Sequence, residues 1–172
     1  MTKPQKTILP DQAFVRVAHI CSQKECCVYD IKRKLNNMGL SEAEIDKIIE
    51  KLVTERYIDE ERFARNFISD KLRFNKWGEL KIRQALRQKF VPKAVVERVF
   101  SEIENDSLTE KLPDLLMKKR KSITGNCLTA STVSEYEINT KLIRYAMGKG
   151  FTMSDVLKCL KSMNINNLPD ED

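Results

Sequence analysis

Apolar residues recur at helical spacing in three separate stretches of the chain. In each stretch, four apolar positions follow one another at i, i+3, i+4 and i+7, which places their side chains on one face of an α-helix. The stripes run over residues 45–52, 96–103 and 156–163. The pattern predicts three amphipathic helices, each of which buries one face.

The three stripes are parts of one longer sequence repeat. Residues 31–52 align without a gap with residues 82–103 at an offset of 51, and a third copy begins at Leu142, 60 residues after the second. Agreement at so many apolar positions predicts three copies of one helical unit. In the second helix of each copy, the alignment predicts equivalent buried residues at Leu35, Leu86 and Ala146.

Helix-start signals accompany each copy. Ser41 with Glu44 has the spacing of a capping box, and Thr152 with Asp155 repeats it with a shorter acid. The middle copy has Pro92 at the equivalent place, which suits a first helical turn. The last helix of each copy is therefore predicted to begin at these positions.

A helix-end signal precedes two of these starts. Gly39 and Gly150 stand where a residue in the left-handed conformation would end the preceding helix. The middle copy has Phe90 there instead. The middle copy thus lacks the glycine signal of the other two.

Each copy also has a preceding helix, so the chain is predicted to be all-α. Asp59 supplies a cap for one of these first helices, and the others are expected near residues 12–24 and 108–121. Three tandem three-helix repeats would form a short curved helical solenoid. The predicted divisions are a flexible N-terminal tail at 1–10, repeat 1 at 11–57, repeat 2 at 58–106, repeat 3 at 107–165 with an inserted loop near 122–136, and an acidic C-terminal tail at 166–172.

Positive charge is concentrated in the second repeat. The chain carries a net charge of +6, whereas residues 71–93 hold eight bases and one acid, a net of +7. Solvated helix faces generally mix both signs, so this window predicts a surface that meets phosphates or carboxylates. We call it the basic window; its bases are Lys71, Arg73, Lys76, Lys81, Arg83, Arg87, Lys89 and Lys93.

Other residues near these bases are less specific. Trp77 lies within the basic window, but a tryptophan near the start of an amphipathic helix is more often a packing residue, and we assign it that role. A weaker second basic patch is predicted at Lys118, Lys119, Arg120 and Lys121. That run is equally typical of a helix C-terminus, where the helix dipole favours cations.

Few residues suggest catalysis, a metal or a membrane. The single histidine and the lack of a glycine-rich phosphate loop predict a protein that is not an enzyme and needs no cofactor. The five cysteines contain no C-x-x-C pair, so neither a disulfide nor a metal site is predicted. No apolar run is long enough to span a membrane, and no heptad seam demands a dimer. A cytoplasmic, monomeric protein is the expectation.

The stretch ERYIDEERFARNFISDKLRFNKWGELKIRQALRQKF resembles the central signature of the RecX family, bacterial regulators of the recombinase RecA. The resemblance rests on residues 57–60, on Phe63 and Ala64, on Gly78 and on residues 82–89. It implies an all-helical fold of tandem three-helix repeats without catalytic residues or a cofactor. One departure is visible: Phe90 follows Lys89 where the family commonly has glycine, so the helix end at Phe90 is expected to be built differently.

The resemblance also implies a function. Family members bind RecA filaments on single-stranded DNA, lie in the filament groove and usually suppress ATP hydrolysis and strand exchange in recombination, DNA repair and the SOS response. The basic window would then contact the filament. From the residues alone, the alternative is a helical protein that binds single- or double-stranded DNA directly, and weak direct DNA binding fits both hypotheses. A solenoid that binds other proteins is a third possibility.

Overall fold

The computed structural model describes residues 8–125 and 134–163, apart from the side chains of Asn105 and Asp106. Every regular element in these ranges is helical, which confirms the predicted all-α class. In chain order the elements are α1 (Pro10–Gln23), α2 (Val28–Asn37), α3 (Glu42–Thr54), α4 (Glu60–Asp70), a π-helical turn (Lys71–Asn75), α5 (Glu79–Gln88), α6 (Lys93–Ser101), α7 (Asn105–Thr109), α8 (Leu112–Gly125), α9 (Glu135–Gly148) and α10 (Met153–Ser162).

The predicted helix starts are largely confirmed. Ser41 and Glu44 form a complete capping box. The Thr152 hydroxyl accepts a hydrogen bond from the Asp155 amide, but the Asp155 carboxylate accepts from that hydroxyl at 2.6 Å, so only half of the box forms. Pro92 lies one residue before α6, and its carbonyl accepts from the amide of Val96 at 3.1 Å. Pro92 thus stands directly before its helix, as Ser41 and Thr152 do, which confirms the predicted equivalence.

The helix ends show one correction. Gly39 and Gly150 have φ angles of 82° and 95°, as expected for left-handed residues. Phe90 has a φ of 55° and takes the same conformation in the middle repeat. The amide of Val91 donates to the Leu86 carbonyl at 3.2 Å, as a helix end of this kind requires. The prediction of a differently built helix end at Phe90 is wrong.

The first helix of the third repeat is interrupted. Residues 108–121 were expected to form one helix, but α7 ends at Thr109 and α8 begins at Leu112. Pro113 lies in the first turn of α8, where its missing amide proton is tolerated, whereas a continuous helix through Pro113 would lose a hydrogen bond. Helix α8 then continues to Gly125, into the segment predicted as an inserted loop.

Buried apolar residues divide the chain into two compact units. The first unit comprises the chain up to Phe67 together with Ala85–Ser101, and the second comprises Ile68–Gln84 together with the chain from Glu102 onward. The three equivalent positions of the repeat are completely buried, which confirms their predicted role: Leu35, Leu86 and Ala146. Helix α2 packs against α3 in the first unit, and α8, α9 and α10 pack together in the second.

Some of the predicted divisions lie outside the described residues. These are most of the N-terminal tail, the whole acidic C-terminal tail and residues 126–133 of the inserted loop. The repeat bounds stay a prediction. Among the described helices, none combines the length and apolar character that crossing a bilayer requires.

Candidate basic interface

A π-helical turn shapes the start of the basic window. Residues Lys71–Asn75 extend α4 with a wider turn, and the turn ends at Lys76, whose φ is 52°. The amide of Trp77 donates to the carbonyl of Lys71 at 3.1 Å and closes this segment. The chain changes direction here, so α5 begins only at Glu79. The bases up to Arg83 fall in the second unit and the later ones in the first.

Two lysines share the ring of Trp77. The Lys71 ammonium lies 5.1 Å from the ring centroid, and the Lys81 ammonium lies 4.9 Å from it. Lys81 also donates to the carbonyl of Gly148 at 3.1 Å. Each cation gains from the negative face of the indole. The half-buried Trp77, assigned to packing from the sequence, therefore also orients two ammonium groups.

The first turn of α5 docks on the end of α9 through its backbone. The amide of Gly78 donates to the carbonyl of Lys149 at 2.8 Å, and the amide of Leu80 donates to the carbonyl of Gly150 at 3.1 Å. A Cβ atom on Gly78 would lie 2.4 Å from the Gly150 carbonyl carbon. Only glycine permits this approach. From the sequence, Gly78 stands out only through the family resemblance, because its partner Gly150 lies 72 residues further along the chain.

The only acid of the basic window is used internally. Glu79 accepts from Arg83 at 2.6 Å, one turn along α5, and both side chains are partly buried. This ion pair holds Arg83 along the helix. Arg87, one turn further, is exposed. Arg83 and Arg87, four residues apart on one helix, therefore have different surroundings.

Lys89 is also held within the first unit. Its ammonium lies 2.6 Å from the Asp30 carboxylate, and their side chains are only 29% and 26% exposed. Burial would raise the pKa of Asp30, but the hydrogen bonds from Lys89 and Cys27 outweigh it, so the pKa of Asp30 is lowered. Lys89 therefore has a structural partner within the fold.

The remaining bases differ in exposure. Arg73 is exposed in the second unit, and Arg87 and Lys93 are exposed in the first. Lys71, Lys76, Lys81, Arg83 and Lys89 are partly buried. The exposed arginines and lysine can meet a large anionic partner without first breaking a described ion pair. They are the strongest candidates among the eight predicted residues.

The second basic patch is split in the same way. Arg120 makes two hydrogen bonds to the Glu135 carboxylate, both at 2.9 Å, and so ties α8 to α9. The Lys119 ammonium lies 5.0 Å from the centroid of the Tyr145 ring. Lys118 and Lys121 are exposed. Half of this patch therefore supports the helix pair.

The cysteines form no evident reactive centre. Cys21, Cys26 and Cys27 are buried free thiols, and Cys159 is a half-buried one. Burial raises the pKa of Cys21 to about 12 and that of Cys27 to about 11, which keeps both thiols protonated at neutral pH. In residues 8–125 and 134–163, no three histidine, cysteine or acidic side chains could together hold a metal ion. Cys127 lies outside these ranges.

A cleft of about 400 Å³ opens in the second unit beside α10. Its polar lining includes Glu79, Asp155 and Lys158. Glu79 accepts from Arg83, and Asp155 accepts from the Thr152 hydroxyl. Both carboxylates thus accept hydrogen bonds from side chains of their own helical segments.

Comparison with known proteins identifies the relatives of this chain. A family model described as "RecX, second three-helix domain" matches residues 59–99. A regulatory protein RecX of Prosthecochloris aestuarii (strain DSM 271 / SK 413) is 30% identical over 137 residues, which cover 80% of this chain and 83% of the relative. One from Clostridium botulinum (strain Eklund 17B / Type B) is 33% identical over 136 residues, covering 79% of this chain and 60% of the relative. The chain spans about three fifths of the length of such clostridial relatives.

Solved structures share the fold. The crystal structure of RecX from Lactobacillus salivarius superposes on this chain with a TM-score of 0.77 at 16% sequence identity. The superposition covers 91% of this chain and 97% of the solved chain. A second crystal structure, of a regulatory protein RecX, gives a TM-score of 0.76 at 22% sequence identity. That superposition covers 89% of this chain and 71% of the solved chain. At these identities the likeness establishes the all-helical fold.

Proposed function

The chain belongs to the RecX family of regulatory proteins, and from that premise we propose that it binds the RecA recombinase filament on single-stranded DNA and inhibits its ATPase and strand-exchange activities. It acts by binding, as a monomer in the cytoplasm, and brings no catalytic residue or cofactor of its own. Its place is in homologous recombination and DNA repair.

The observation that supports this proposal is the charge of the segment that matches the family model. Within residues 59–99, the basic window holds one acid, and that acid is already paired with Arg83. Arg73, Arg87 and Lys93 remain exposed. A nucleoprotein filament offers phosphates and acidic side chains, and arginine binds either group in a bidentate manner. Opposite charge also speeds the encounter of two large partners.

The test is the single-stranded-DNA-dependent ATPase of the cognate RecA, titrated with this protein. We expect the ATPase rate to fall as the protein is added, at ratios well below one copy per recombinase protomer if inhibition acts at filament ends and nearer to one if it acts along the groove. An unchanged rate at every ratio would contradict the proposal. If the ATPase rate is unchanged but the protein binds bare DNA under the same conditions, the alternative of a direct DNA-binding protein is favoured.

A further inference from the structure

Phe90 holds an unusual position in the first unit. Its φ of 55° lies in the left-handed region, where the other two repeats have glycine at 82° and 95°. Phenylalanine is disfavoured there because its Cβ crowds the backbone. The ring is nevertheless 74% exposed, so burial of the side chain does little to offset this strain. Because strained backbone conformations cluster at functional sites, the exposed ring of Phe90 is a candidate for binding.

A second aromatic residue supports the exposed ring. The ring of Tyr29, in the first turn of α2, lies 5.1 Å from that of Phe90, centroid to centroid, at an interplanar angle of 39°. Tyr29 is half-buried, so it provides a fixed side to the pair. The two side chains, which we call the aromatic platform, leave most of the Phe90 ring open to solvent.

Exposed bases lie close along the chain to both members of the aromatic platform. Arg33 lies one turn after Tyr29 on α2, and it is exposed. Arg87, whose carbonyl accepts from the Phe90 amide at 3.0 Å, and Lys93, the first residue of α6, are exposed as well. The neighbouring acid, Asp30, is paired with Lys89 at 2.6 Å. The exposed charged residues nearest to the two rings along the chain, which we call the rim, are therefore positive.

We propose that the aromatic platform stacks the bases of a single-stranded nucleic acid, while Arg33, Arg87 and Lys93 meet its phosphates. Every base presents a π-face, so an aromatic ring binds single strands with little regard to sequence, and a cationic rim suits the backbone that carries the bases. An apolar protein partner would match the ring but would leave these charges without counterparts. This goes beyond the proposed function because it requires no recombinase.

The experiment measures binding of fluorescent oligothymidylate by anisotropy, beside an abasic oligonucleotide of the same length and charge. We expect the wild-type protein to bind oligothymidylate at least about fivefold more tightly than the abasic strand. Phe90→Gly should lose most of that preference while its affinity for the abasic strand stays unchanged. Its melting temperature should stay the same or rise, since glycine adopts a positive φ without strain. Phe90→Trp should keep the preference.

Two results would overturn the proposal. One is equal binding of the two strands by the wild-type protein, which needs no variant and does not depend on how Phe90→Gly folds. The other is a Phe90→Gly protein that folds and keeps the full preference for oligothymidylate, which would assign base recognition elsewhere. Neither result bears on the RecA ATPase assay, so failure of this inference and failure of the proposed function are distinguishable.

Discussion

The backbones of Gly78 and Gly150 approach so closely that a methyl group on Gly78 has no room. An added Cβ would lie 2.4 Å from both the carbonyl carbon and the carbonyl oxygen of Gly150. Two backbone hydrogen bonds, from the amides of Gly78 and Leu80, depend on this approach. The first turn of α5 is thus positioned by main-chain atoms, with Lys81 donating to Gly148 beside it.

We expect Gly78→Ala to lower the free energy of unfolding by about 2–3 kcal/mol, because the backbone must shift to relieve the overlap. Gly148→Ala is the matched control, since an added Cβ there meets no atom of the described residues within 4 Å. Gly148 is the last residue of α9 and has no positive φ, so alanine, the better helix former, should be neutral or stabilising there. Urea unfolding, followed by circular dichroism, measures the free energy of unfolding of both variants. Equal decreases in the two variants would show that the close contact at Gly78 does not account for the loss of stability.

The repeat alignment makes a second prediction for α5. Leu86 is completely buried, so Leu86→Ala should cost about 2–5 kcal/mol through the cavity it leaves. The adjacent Arg87 is exposed, and Arg87→Ala should cost about 0.5 kcal/mol or less. Thermal melts of the two variants distinguish the two faces of the helix, and similar destabilisation by both would refute the assignment.

Charge reversal tests the basic window. Arg73→Glu combined with Arg87→Glu introduces repulsion towards an anionic partner at two exposed positions. We expect the concentration that inhibits the RecA ATPase to rise at least about tenfold, because like-charge contacts at an interface cost several kcal/mol. The helical circular dichroism should remain unchanged, since surface charges contribute little to stability.

The control for this experiment reverses two exposed bases outside the basic window. Arg16→Glu with Lys47→Glu changes the net charge by the same amount on α1 and α3. If the position of the charges matters, this control variant should inhibit the RecA ATPase as strongly as the wild-type protein. If it loses as much inhibition as the first variant, the effect depends only on net charge. Titration against bare single-stranded DNA separates filament binding from direct DNA binding.

Glu60 gives a pH-dependent prediction. One carboxylate oxygen accepts from the Val28 amide at 2.9 Å, whereas the other is buried and has no hydrogen-bond partner among the described residues. Burial raises the pKa of Glu60 above its usual value. The folded protein therefore binds the Glu60 proton more tightly than the unfolded chain does. Ionisation of Glu60 lowers the free energy of unfolding as the pH rises through the raised pKa. Below the ordinary glutamate pKa, Glu60 is protonated in both states and this loss of stability disappears.

Glu60→Gln should therefore raise the melting temperature more at pH 7 than at pH 4, because glutamine stays neutral and can still accept from the Val28 amide. Glu42→Gln is a suitable control, since Glu42 is exposed in the first turn of α3. A difference between variant and wild type that does not change with pH would contradict the buried-carboxylate explanation.

Local sequence patterns accounted for the helices better than for the site. The i, i+3, i+4 spacing and the repeat offset identified Leu86 as buried because both depend only on neighbours along the chain. The break before Pro113 follows from that residue's own missing amide proton and was overlooked in the sequence, whereas Phe90 takes a left-handed conformation that its side chain disfavours.

The pairings within the site were harder to predict. Glu79 and Arg83 stand four residues apart, a spacing that favours an ion pair on a helix. In the prediction of the basic window, however, Glu79 was counted only in the net charge. Lys89 with Asp30, and Gly78 with Gly150, join residues far apart in the chain. Such contacts depend on how the helices pack, which the pattern of a single segment does not contain. The basic window was therefore correctly located as a charged segment, while the exposure of its individual residues required the structure.

Trp77 is the only tryptophan of the chain, and it has a lysine ammonium at 5.1 Å and another at 4.9 Å from its ring. Indole emission responds to nearby charge, and any anion that draws Lys71 or Lys81 away from the ring changes that field. The intrinsic fluorescence of Trp77 can therefore report binding of a polyanion to the second unit. A titration needs neither a dye nor a tag.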